Sequence, residues 1–307
     1  MTIINSALRG ITVGETQAFG NLSIIPLLAA AAGSANYLTL EEAQAQGLTK
    51  ITETSESGSV PTLLLVNEAE QAVFLLDGEE LVGAKQNRII NLSLLVPANT
   101  TLEVPVSCVE QGRWRHRTRE FASAERTFFS KGRARKAARV SESLRAGVGG
   151  RSNQGEVWSD IGEKMASMSV NSDTDAIADA YEHFSVSLDE YVRAFKPDSS
   201  QVGACFSING QIRGLELFDA CGTCAKLIPK LIRSYALDAI EERLETGSSA
   251  QEDDVKAFID TVANAPVDVF KALGEGEDLR IHSEAVAGGA LTTRDQLIHL
   301  CAFRLVA

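Results

Sequence analysis

Apolar and polar residues alternate with a period of two through much of the first third of the chain. In "LEVPVSCV", residues Leu102, Val104, Val106 and Cys108 would share one face of a strand. Turn-forming clusters separate the apolar runs, which is typical of a half-buried antiparallel sheet. Pro105 has no amide donor, which predicts an edge or bulge position there. The predicted strands are 21–28, 48–56, 62–67, 72–76, 88–96 and 101–109, with a short helix near 39–46 between them.

From about residue 118 the apolar spacing changes to three and four, which predicts helices. Asn153 followed by Glu156 resembles a helix cap, and the apolar residues after it fall on one helical face. A second amphipathic helix is predicted from Ile177 to Phe195, because Lys196 and Pro197 stop it. The basic segment that precedes these helices, near 117–145, is also predicted to be helical.

The stretch "QVGACFSINGQIRGLELF" (201–218) predicts a β-hairpin. Two alternating runs meet at Asn209 and Gly210, a pair whose tolerance of positive φ suits a type I′ turn. Helices are expected to follow from about Thr223 to Glu245 and from about Asp253 to Ala265. The chain closes with predicted strands near 278–286 and 296–306.

The order of strands, then helices, then strands, without βαβ alternation, predicts an α+β fold. A largely antiparallel sheet would combine N-terminal strands, the central hairpin and C-terminal strands, packed with several amphipathic helices. No composition break marks a linker, so residues 1–307 are expected to form a single intertwined domain. Its parts would be β-rich (1–117), helical (118–197) and hairpin, helix and strands (198–307).

Composition places the chain among ordinary globular proteins, with 44% hydrophobic and 23% charged residues. No apolar run approaches the ~20 residues that span a bilayer. The N-terminus shows no basic region followed by an apolar one, so a cytoplasmic location is expected. Five cysteines are an odd count, which fits a reducing compartment better than a disulfide framework.

Charge is distributed unevenly along the chain. The net charge is −12, which argues against general nucleic-acid binding. Residues 113–145 nevertheless contain eleven Lys or Arg and three acids, a local net charge of +8. This basic segment could attract a small anion or dock an acidic protein partner. It could equally pair with the acidic surface of its own chain.

Two polar stretches carry the candidate site. "LLDGEELVGAKQNR" (75–88) packs acids, bases and amides around a Gly-Ala break, and "VSCVEQGRWRHR" (106–117) contains a second such group. Both follow predicted strands, and we expect their loops to meet at one end of the sheet. The candidate residues are Glu79, Glu80, Lys85, Gln86, Asn87, Arg88, Glu110, Gln111, Arg113, Trp114 and His116.

These residue types suit a phosphorylated ligand. Lys85, Gln86, Asn87, Arg88, Arg113 and Trp114 are the predicted ligand-binding residues: the arginines bind phosphate in a fork, and a Trp face stacks a base or ribose. Glu79, Glu80, Glu110 and His116 are the candidate catalytic residues. The glutamates could also hold Mg²⁺ through oxygen ligands, the one cofactor that the sequence suggests. The alternative is a buried ion-pair network, such as Glu80 with Arg88 and Glu110 with Arg113, that joins the sheet to the helices.

Other catalytic motifs are weaker. Cys221 and Cys224 form a Cys-x-x-Cys pair at a predicted helix start, where a thiol pKa can be depressed, but no second pair completes a zinc site. The alternative interpretation is that Cys221 and Cys224 are two small residues in a first helical turn. Neither a Gly-x-Ser-x-Gly elbow nor a Walker or Rossmann loop occurs in the sequence.

The two polar stretches also carry a family resemblance. "DGEELVGAKQNRIINLSLLVPA" and "PVSCVEQGRW" resemble the bacterial family called the ADP-ribosylglycohydrolase and rhodanese-phosphatase associated protein domain. The likeness extends to "QGEVW", "INGQIRGLELFD", "PKLIRSYALDAI" and "IHLCAF". The resemblance implies a role near nucleotide or ADP-ribose metabolism, by association alone.

The leading functional hypothesis is therefore a soluble protein that binds or processes a phosphorylated, nucleotide-like small molecule, linked to ADP-ribose or NAD metabolism. If it is catalytic, a hydrolase of a phosphoester or glycosidic bond is the natural class. The alternatives are a non-enzymatic interaction module whose basic helix docks an acidic partner, and a thiol-dependent enzyme that uses Cys221 and Cys224.

Overall fold

The computed structural model describes residues 2–30, 33–243, 249–294 and 296–305. Within them, the helices are α1 (Ile3–Arg9), α2 (Leu40–Ala45), α3 (Ser130–Arg145), α4 (Gln154–Ser167), α5 (Ile177–His183), α6 (Ser185–Ala194), α7 (Cys221–Glu241) and α8 (Glu252–Asn264). No helix in these ranges is both long and apolar enough to cross a membrane.

The strands are short and almost all antiparallel, as the α+β prediction requires. They are β1 (Ile11–Val13), β2 (Gln17–Phe19), β3 (Leu22–Ala29), β4 (Tyr37–Thr39), β5 (Thr49–Glu53), β6 (Thr62–Asn67), β7 (Ala72–Leu75), β8 (Glu79–Gly83), β9 (Arg88–Ile90), β10 (Leu94–Val96), β11 (Thr100–Cys108), β12 (Phe121–Thr127), β13 (Gln201–Ile208), β14 (Gln211–Phe218), β15 (Val267–Lys271), β16 (Glu277–His282), β17 (Val286–Thr293) and β18 (Gln296–Arg304).

The largest sheet has nine strands and contains the predicted hairpin. Its order is β1-β3-β13-β14-β18-β17-β16-β15, and β2 also pairs with β3. Asn209 and Gly210 have φ values of 52° and 77°, so the turn needs the positive φ that this pair tolerates. One apolar cluster lies between this sheet and helices α4 to α7, and a second lies under α1 and α8. Burial on both faces explains why every residue of β13 is buried.

A six-stranded sheet forms a half-barrel. Its order is β12-β8-β9-β11-β6-β5, and a bridge between Thr52 and Glu120 brings its two edges together. An apolar cluster takes residues from all six strands. Pro105 was expected at an edge or bulge, but β11 lies inside this sheet. The proline sits where β11 changes its partner from β6 to β9, so a missing amide donor is tolerated there.

A third sheet has three strands in the order β10-β7-β4. It shows that the prediction of one strand over residues 88–96 is wrong. That segment is two strands in different sheets, β9 in the half-barrel and β10 beside β7. The turn between them holds Asn91 and Ser93, whose side chains are buried and hydrogen-bonded: Asn91 Nδ2 donates to the carbonyl of Gly150, and Ser93 Oγ accepts from the amide of Asp77.

The helix boundaries agree with the predictions where a capping residue starts the helix, and differ where the predicted helix is interrupted. Asn153 Oδ1 accepts hydrogen bonds from two amides of α4, as its cap pattern predicts. The predicted helix 177–195 is two helices that part at Phe184. The segment near 117–145 is helical only over α3, because β12 occupies residues 121–127. The predicted end of α7 at Glu245, and Val306 in the last strand, lie outside the described residues.

The elements that were not predicted are helix α1 and strands β1, β2, β4, β8, β12, β15 and β17. Val286–Thr293 contains two glycines and two alanines, so its apolar signal is weak, although the strand is buried between β16 and β18. The largest apolar cluster runs from Leu22 to Phe303 and so joins the β-rich, helical and C-terminal parts. The single-domain assignment stays a prediction.

Candidate functional site

Three loops meet at one end of the half-barrel, and we call this end the barrel mouth. They are residues 54–61 between β5 and β6, 84–87 between β8 and β9, and 109–120 between β11 and β12. The antiparallel register places them together, since Cys108 lies opposite Arg88 and Gly83 opposite Phe121. The loop residues of the two polar stretches therefore converge, as expected, but Glu79 begins β8 and lies at the other end of that strand. Barrel mouths are frequent positions for ligand sites.

Glu79 and Glu80 lie on β8, both buried, and each carboxylate has a cationic partner. Glu79 Oε1 accepts from Lys230 Nζ at 2.8 Å and from the hydroxyl of Ser123. Glu80 Oε2 accepts from Arg126 Nε at 2.5 Å, so the expected pairing of Glu80 with Arg88 is wrong. These pairs tie β8 to helix α7 and strand β12.

Glu110 and Arg113 form the ion pair that the sequence offered as an alternative to a ligand site. Arg113 Nη2 and Nε lie 2.6 and 2.7 Å from the two carboxylate oxygens of Glu110. Burial acts to raise the pKa of Glu110, but hydrogen bonds from Arg113 and from the Asn87 amide outweigh it and hold that pKa below its ordinary value. Arg113 also donates to the carbonyls of Gly83 and Ala84, so its guanidinium fastens the mouth loops together.

Arg88 is fully buried but only partly satisfied. Its Nη1 donates to the backbone and side-chain oxygens of Gln86, both at 3.2 Å. Its Nε and Nη2 are buried and have no hydrogen-bond partner among the described residues. Burial lowers the pKa of the guanidinium, and the nearby Cys108 and Glu53 oppose this shift only in part. A buried cation with two unused donors is costly unless something binds it.

Glu53, at the end of β5, is an acidic residue that is likewise left without hydrogen-bond partners among the described residues. Both of its carboxylate oxygens are buried and lack a partner among the described residues. Its charge acts on Arg88, although no ion pair within 4.0 Å joins them in the described part of the chain. Glu53 was not predicted from the sequence, because only the closure of the half-barrel brings β5 to this end of β9.

Trp114 and the loop 54–61 cover Arg88 and Glu53, and we call Trp114 with this loop the cover. The Trp114 ring centroid lies 5.8 Å from Arg88 Cζ and 5.2 Å from Lys85 Nζ, and 49% of the residue is exposed. Lys85 Nζ donates to the carbonyl of Glu56 at 2.5 Å, which holds the loop in place. A Cβ added to Gly58, whose φ is +77°, would lie 3.3 Å from atoms of Glu53, Lys85 and Trp114. The cover is therefore closely packed.

Cys108 and helix α4 form the inner wall of the site, and neither was predicted to belong to it. Gln154 accepts from the Cys108 amide at 2.7 Å and donates to its carbonyl at 2.8 Å. Burial raises the pKa of the Cys108 thiol, although Arg88 acts against it. The buried indole N–H of Trp158 also contacts this thiol, and its hydrogen bond acts to lower the pKa of Cys108. The only sequence signal was "QGEVW", which contributed to the family resemblance alone.

The rim of the mouth is cationic and exposed. Arg115, His116, Arg117 and Arg119 all extend into solvent, and His116 Nδ1 lies 3.3 Å from the Thr118 carbonyl. Gln111 contributes its carbonyl, which accepts from Gln86 Nε2 at 3.2 Å. The catalytic roles predicted for Glu79, Glu80, Glu110 and His116 stay predictions.

Most of the basic segment pairs with its own chain. Eight of its eleven cations form ion pairs of 3.2 Å or less with acidic residues; the eight are Arg113, Arg126, Lys131, Arg133, Arg135, Lys136, Arg139 and Arg145. The other three are the rim arginines, which form no ion pair this short with a described residue, and one of these, Arg117, lies 4.0 Å from Glu110. The alternative of self-pairing therefore describes most of this segment.

Two other clusters have chemical potential. Burial raises the pKa of Cys224 to about 12, so this thiol of the Cys-x-x-Cys pair is protonated despite its position in the first turn of α7. Glu216, His299 and Cys301 place ligand atoms within 4.8 Å of one another. Glu216 already pairs with Arg133, and burial raises the pKa of Cys301 to about 12, so this trio is a poor match for a metal ion.

The chain was compared with protein-family models, curated proteins and solved structures. No curated protein and no solved structure matched it. One family model matches residues 10–303, which is nearly the whole chain. The protein thus belongs to the family described as the ARG and Rhodanese-Phosphatase-superfamily-associated Protein domain.

Proposed function

We propose that the protein binds a small, anionic, nucleotide-like molecule at the barrel mouth. The observation that carries this proposal is the fully buried guanidinium of Arg88, whose Nε and Nη2 have no partner among the described residues. These two nitrogens form one edge of the planar fork that binds phosphate or carboxylate bidentately. An anion on this edge would satisfy both donors at once.

The surrounding residues suggest the rest of the ligand. Glu53 offers two acceptor oxygens that no described residue pairs with, and these suit the hydroxyl groups of a ribose. Trp114 presents a half-exposed ring on which a base can stack. The exposed rim arginines would attract an anion to a chain that is otherwise acidic. Glu110 and Arg113 would fix the loops instead of contacting the ligand, since they satisfy each other.

ADP-ribose is the first ligand to test. It combines phosphate, ribose and a base, and the family description refers to association with ARG and rhodanese-phosphatase superfamily proteins. Because the unpaired atoms of Arg88 and Glu53 are buried, binding requires Trp114 and the loop 54–61 to move aside.

Tryptophan fluorescence is suited to the test, because the chain has two tryptophans and both Trp114 and Trp158 belong to the mouth. The protein would be titrated with ADP-ribose, NAD, AMP, ribose 5-phosphate and inorganic phosphate, with and without Mg²⁺. We expect saturable quenching or a spectral shift with the nucleotides. The single-tryptophan variants Trp114→Phe and Trp158→Phe then separate the signal of the cover from that of the inner wall.

Three variants and one control make the test decisive. We expect Arg88→Gln to weaken binding at least about tenfold, the effect of losing a hydrogen bond to a charged group. Glu53→Gln and Trp114→Ala should weaken it as well, and neither removes an ion pair or hydrogen bond found among the described side chains. Arg119→Gln removes the same positive charge as Arg88→Gln, but from the exposed rim. Its affinity for the ligand should stay within about twofold of that of the wild type.

Two results would contradict the proposal. One is a folded wild-type protein whose fluorescence responds to none of the ligands. The other is unchanged binding in both Glu53→Gln and Trp114→Ala, which stays informative if Arg88→Gln fails to fold.

A docking site for an acidic protein is the second candidate. The observation that favours it is the exposed Trp114 beside the rim arginines, since Trp and Arg are enriched at interface centres. The combined variant Arg115→Gln, Arg117→Gln, Arg119→Gln separates the two functions. It should abolish docking of an acidic protein, while the nucleotide affinity should fall only through slower capture at low salt.

A further inference from the structure

A second cationic cavity lies away from the barrel mouth. Its volume is about 500 Å³, within the range of small-molecule sites. Helix α3 contributes its first two turns, β14 contributes residues just after the hairpin, and the ends of α7 and β18 complete the wall. The lining residues are Ser130, Lys131, Ala134, Arg135, Gln211, Arg213, Glu242, Arg304 and Leu305.

The charge of this cavity is opposite to that of the protein. Four of the nine lining residues are Lys or Arg and one is acidic, in a chain whose net charge is −12. A concave surface with one sign of charge concentrates the field and attracts counter-ions. The ligand that this lining favours is therefore an anion.

Three of the four lining cations already have acidic partners: Lys131 pairs with Glu241 and Glu242, Arg135 with Asp160, and Arg213 with Glu242. Glu242 accepts from Arg213 Nη2 at 2.5 Å. Arg213 Nε is buried and has no hydrogen-bond partner among the described residues. This atom is a donor left for a bound group.

Arg304 is the most available cation of the cavity. It is exposed, its Cζ lies 5.9 Å from the Phe258 ring centroid, and no carboxylate of the described residues lies within 4.0 Å of it. Arg304 ends β18, while Arg213 lies near the start of β14, and these two strands are paired neighbours. A ligand with two anionic groups could contact both arginines.

We propose that this cavity is a second binding site, for a small polyanion that carries two or more phosphate or carboxylate groups. Arg213 and Arg304 bind the anionic groups, while Lys131 and Arg135 stay in their ion pairs with acidic residues of the chain. The ligand would connect α3, the hairpin and the last strand, so its binding stabilises the folded chain.

The test uses tripolyphosphate and citrate as probes, measured by calorimetric titration of the full chain at low salt. The Arg88→Gln protein, if folded, is titrated beside the wild type to separate this site from the mouth. We expect one saturable site per chain, weakened at least about tenfold in Arg304→Gln, which removes a charge-assisted contact. Glu242→Gln should bind more tightly, because it removes the lining carboxylate and frees Arg213 Nη2.

The matched control is Lys271→Gln, which removes one positive charge from the exposed edge strand β15. It should bind both probes as the wild type does. Neither tryptophan lines the cavity, so probe binding there should leave the tryptophan emission unchanged. A titration without saturation, or equal affinities in the wild type, Arg304→Gln and Glu242→Gln, would overturn the proposal. A similar loss in Arg304→Gln and Lys271→Gln would also overturn it, since it would indicate a diffuse field without a site.

Discussion

Arg133 Nη1 donates to Glu216 Oε1 at 2.5 Å, and both side chains are fully buried. The same guanidinium contacts Asp77 on the half-barrel side, with 3.2 Å between Nε and Oδ1. Helix α3 therefore carries one cation that joins the nine-stranded sheet to the half-barrel. Its pKa is raised, because the carboxylates outweigh the effect of burial.

Replacing Arg133 should destabilise the fold strongly. Arg133→Met leaves Glu216 and Asp77 short of a buried partner, and we expect the free energy of unfolding to fall by about 3–5 kcal/mol. Arg135→Met is the matched control on the same helix, because its ion pairs are half-exposed and should cost less than about 1 kcal/mol. Urea unfolding measures both. Similar losses for the two variants would show that burial does not set the strength of these pairs.

Glu241 should make stability depend on acid. Burial acts to raise its pKa, but hydrogen bonds from Lys164 and Ser167, with the charge of Lys164, outweigh it and lower the pKa from 4.5 to about 2. The folded state thus binds this proton less readily than the unfolded state. The stabilisation is present above pH 4.5 and is lost as the pH falls towards 2.

Unfolding measured at pH 6 and pH 3 tests this effect. The wild type should lose on the order of 1 kcal/mol more than Glu241→Gln over this interval, after screening by solvent. Glu163→Gln, whose carboxylate is 63% exposed, should keep the pH dependence of the wild type. An unchanged pH dependence in Glu241→Gln would contradict the assignment.

Replacing each of two glycines by alanine should change the free energy of unfolding in opposite directions. Gly162 lies in the exposed face of α4 with no atom near an added Cβ, so Gly162→Ala should stabilise the protein by about 0.5–1 kcal/mol. Gly210 has a φ of 77° in the hairpin turn, so Gly210→Ala should destabilise it by about 1–2 kcal/mol. Thermal unfolding of both variants checks the signs, and a stabilising Gly210→Ala would contradict the type I′ turn.

The thiols should be mostly unreactive in the native protein. Burial raises the pKa of Cys108, and it raises those of Cys205, Cys224 and Cys301 to about 12. Only Cys221 is partly exposed. A thiol reagent at pH 8 should therefore modify one cysteine per native chain, five after denaturation, and none in native Cys221→Ser. Rapid modification of two native thiols would support the thiol-dependent enzyme.

The local patterns of the chain determined its local structure. Aliphatic runs between turn-forming residues located β3 and β6, period-two alternation located β11, and Asn209 with Gly210 located the hairpin. These patterns predict the structure correctly because strand alternation and positive φ depend on neighbouring residues alone. The strands with weak alternation, such as β17, were missed because their burial comes from distant partners.

The sequence by itself also determined that two polar stretches would meet, since each leaves a strand at a chain reversal. Only the tertiary structure decided how their charges are paired. Glu80 lies on the face that Arg126 reaches, Arg113 satisfies Glu110, and the charge of Glu53 acts on Arg88 because the half-barrel closes. The physical reason is that an ion pair depends on a few ångströms between residues far apart in the chain, a distance that register and sheet curvature set.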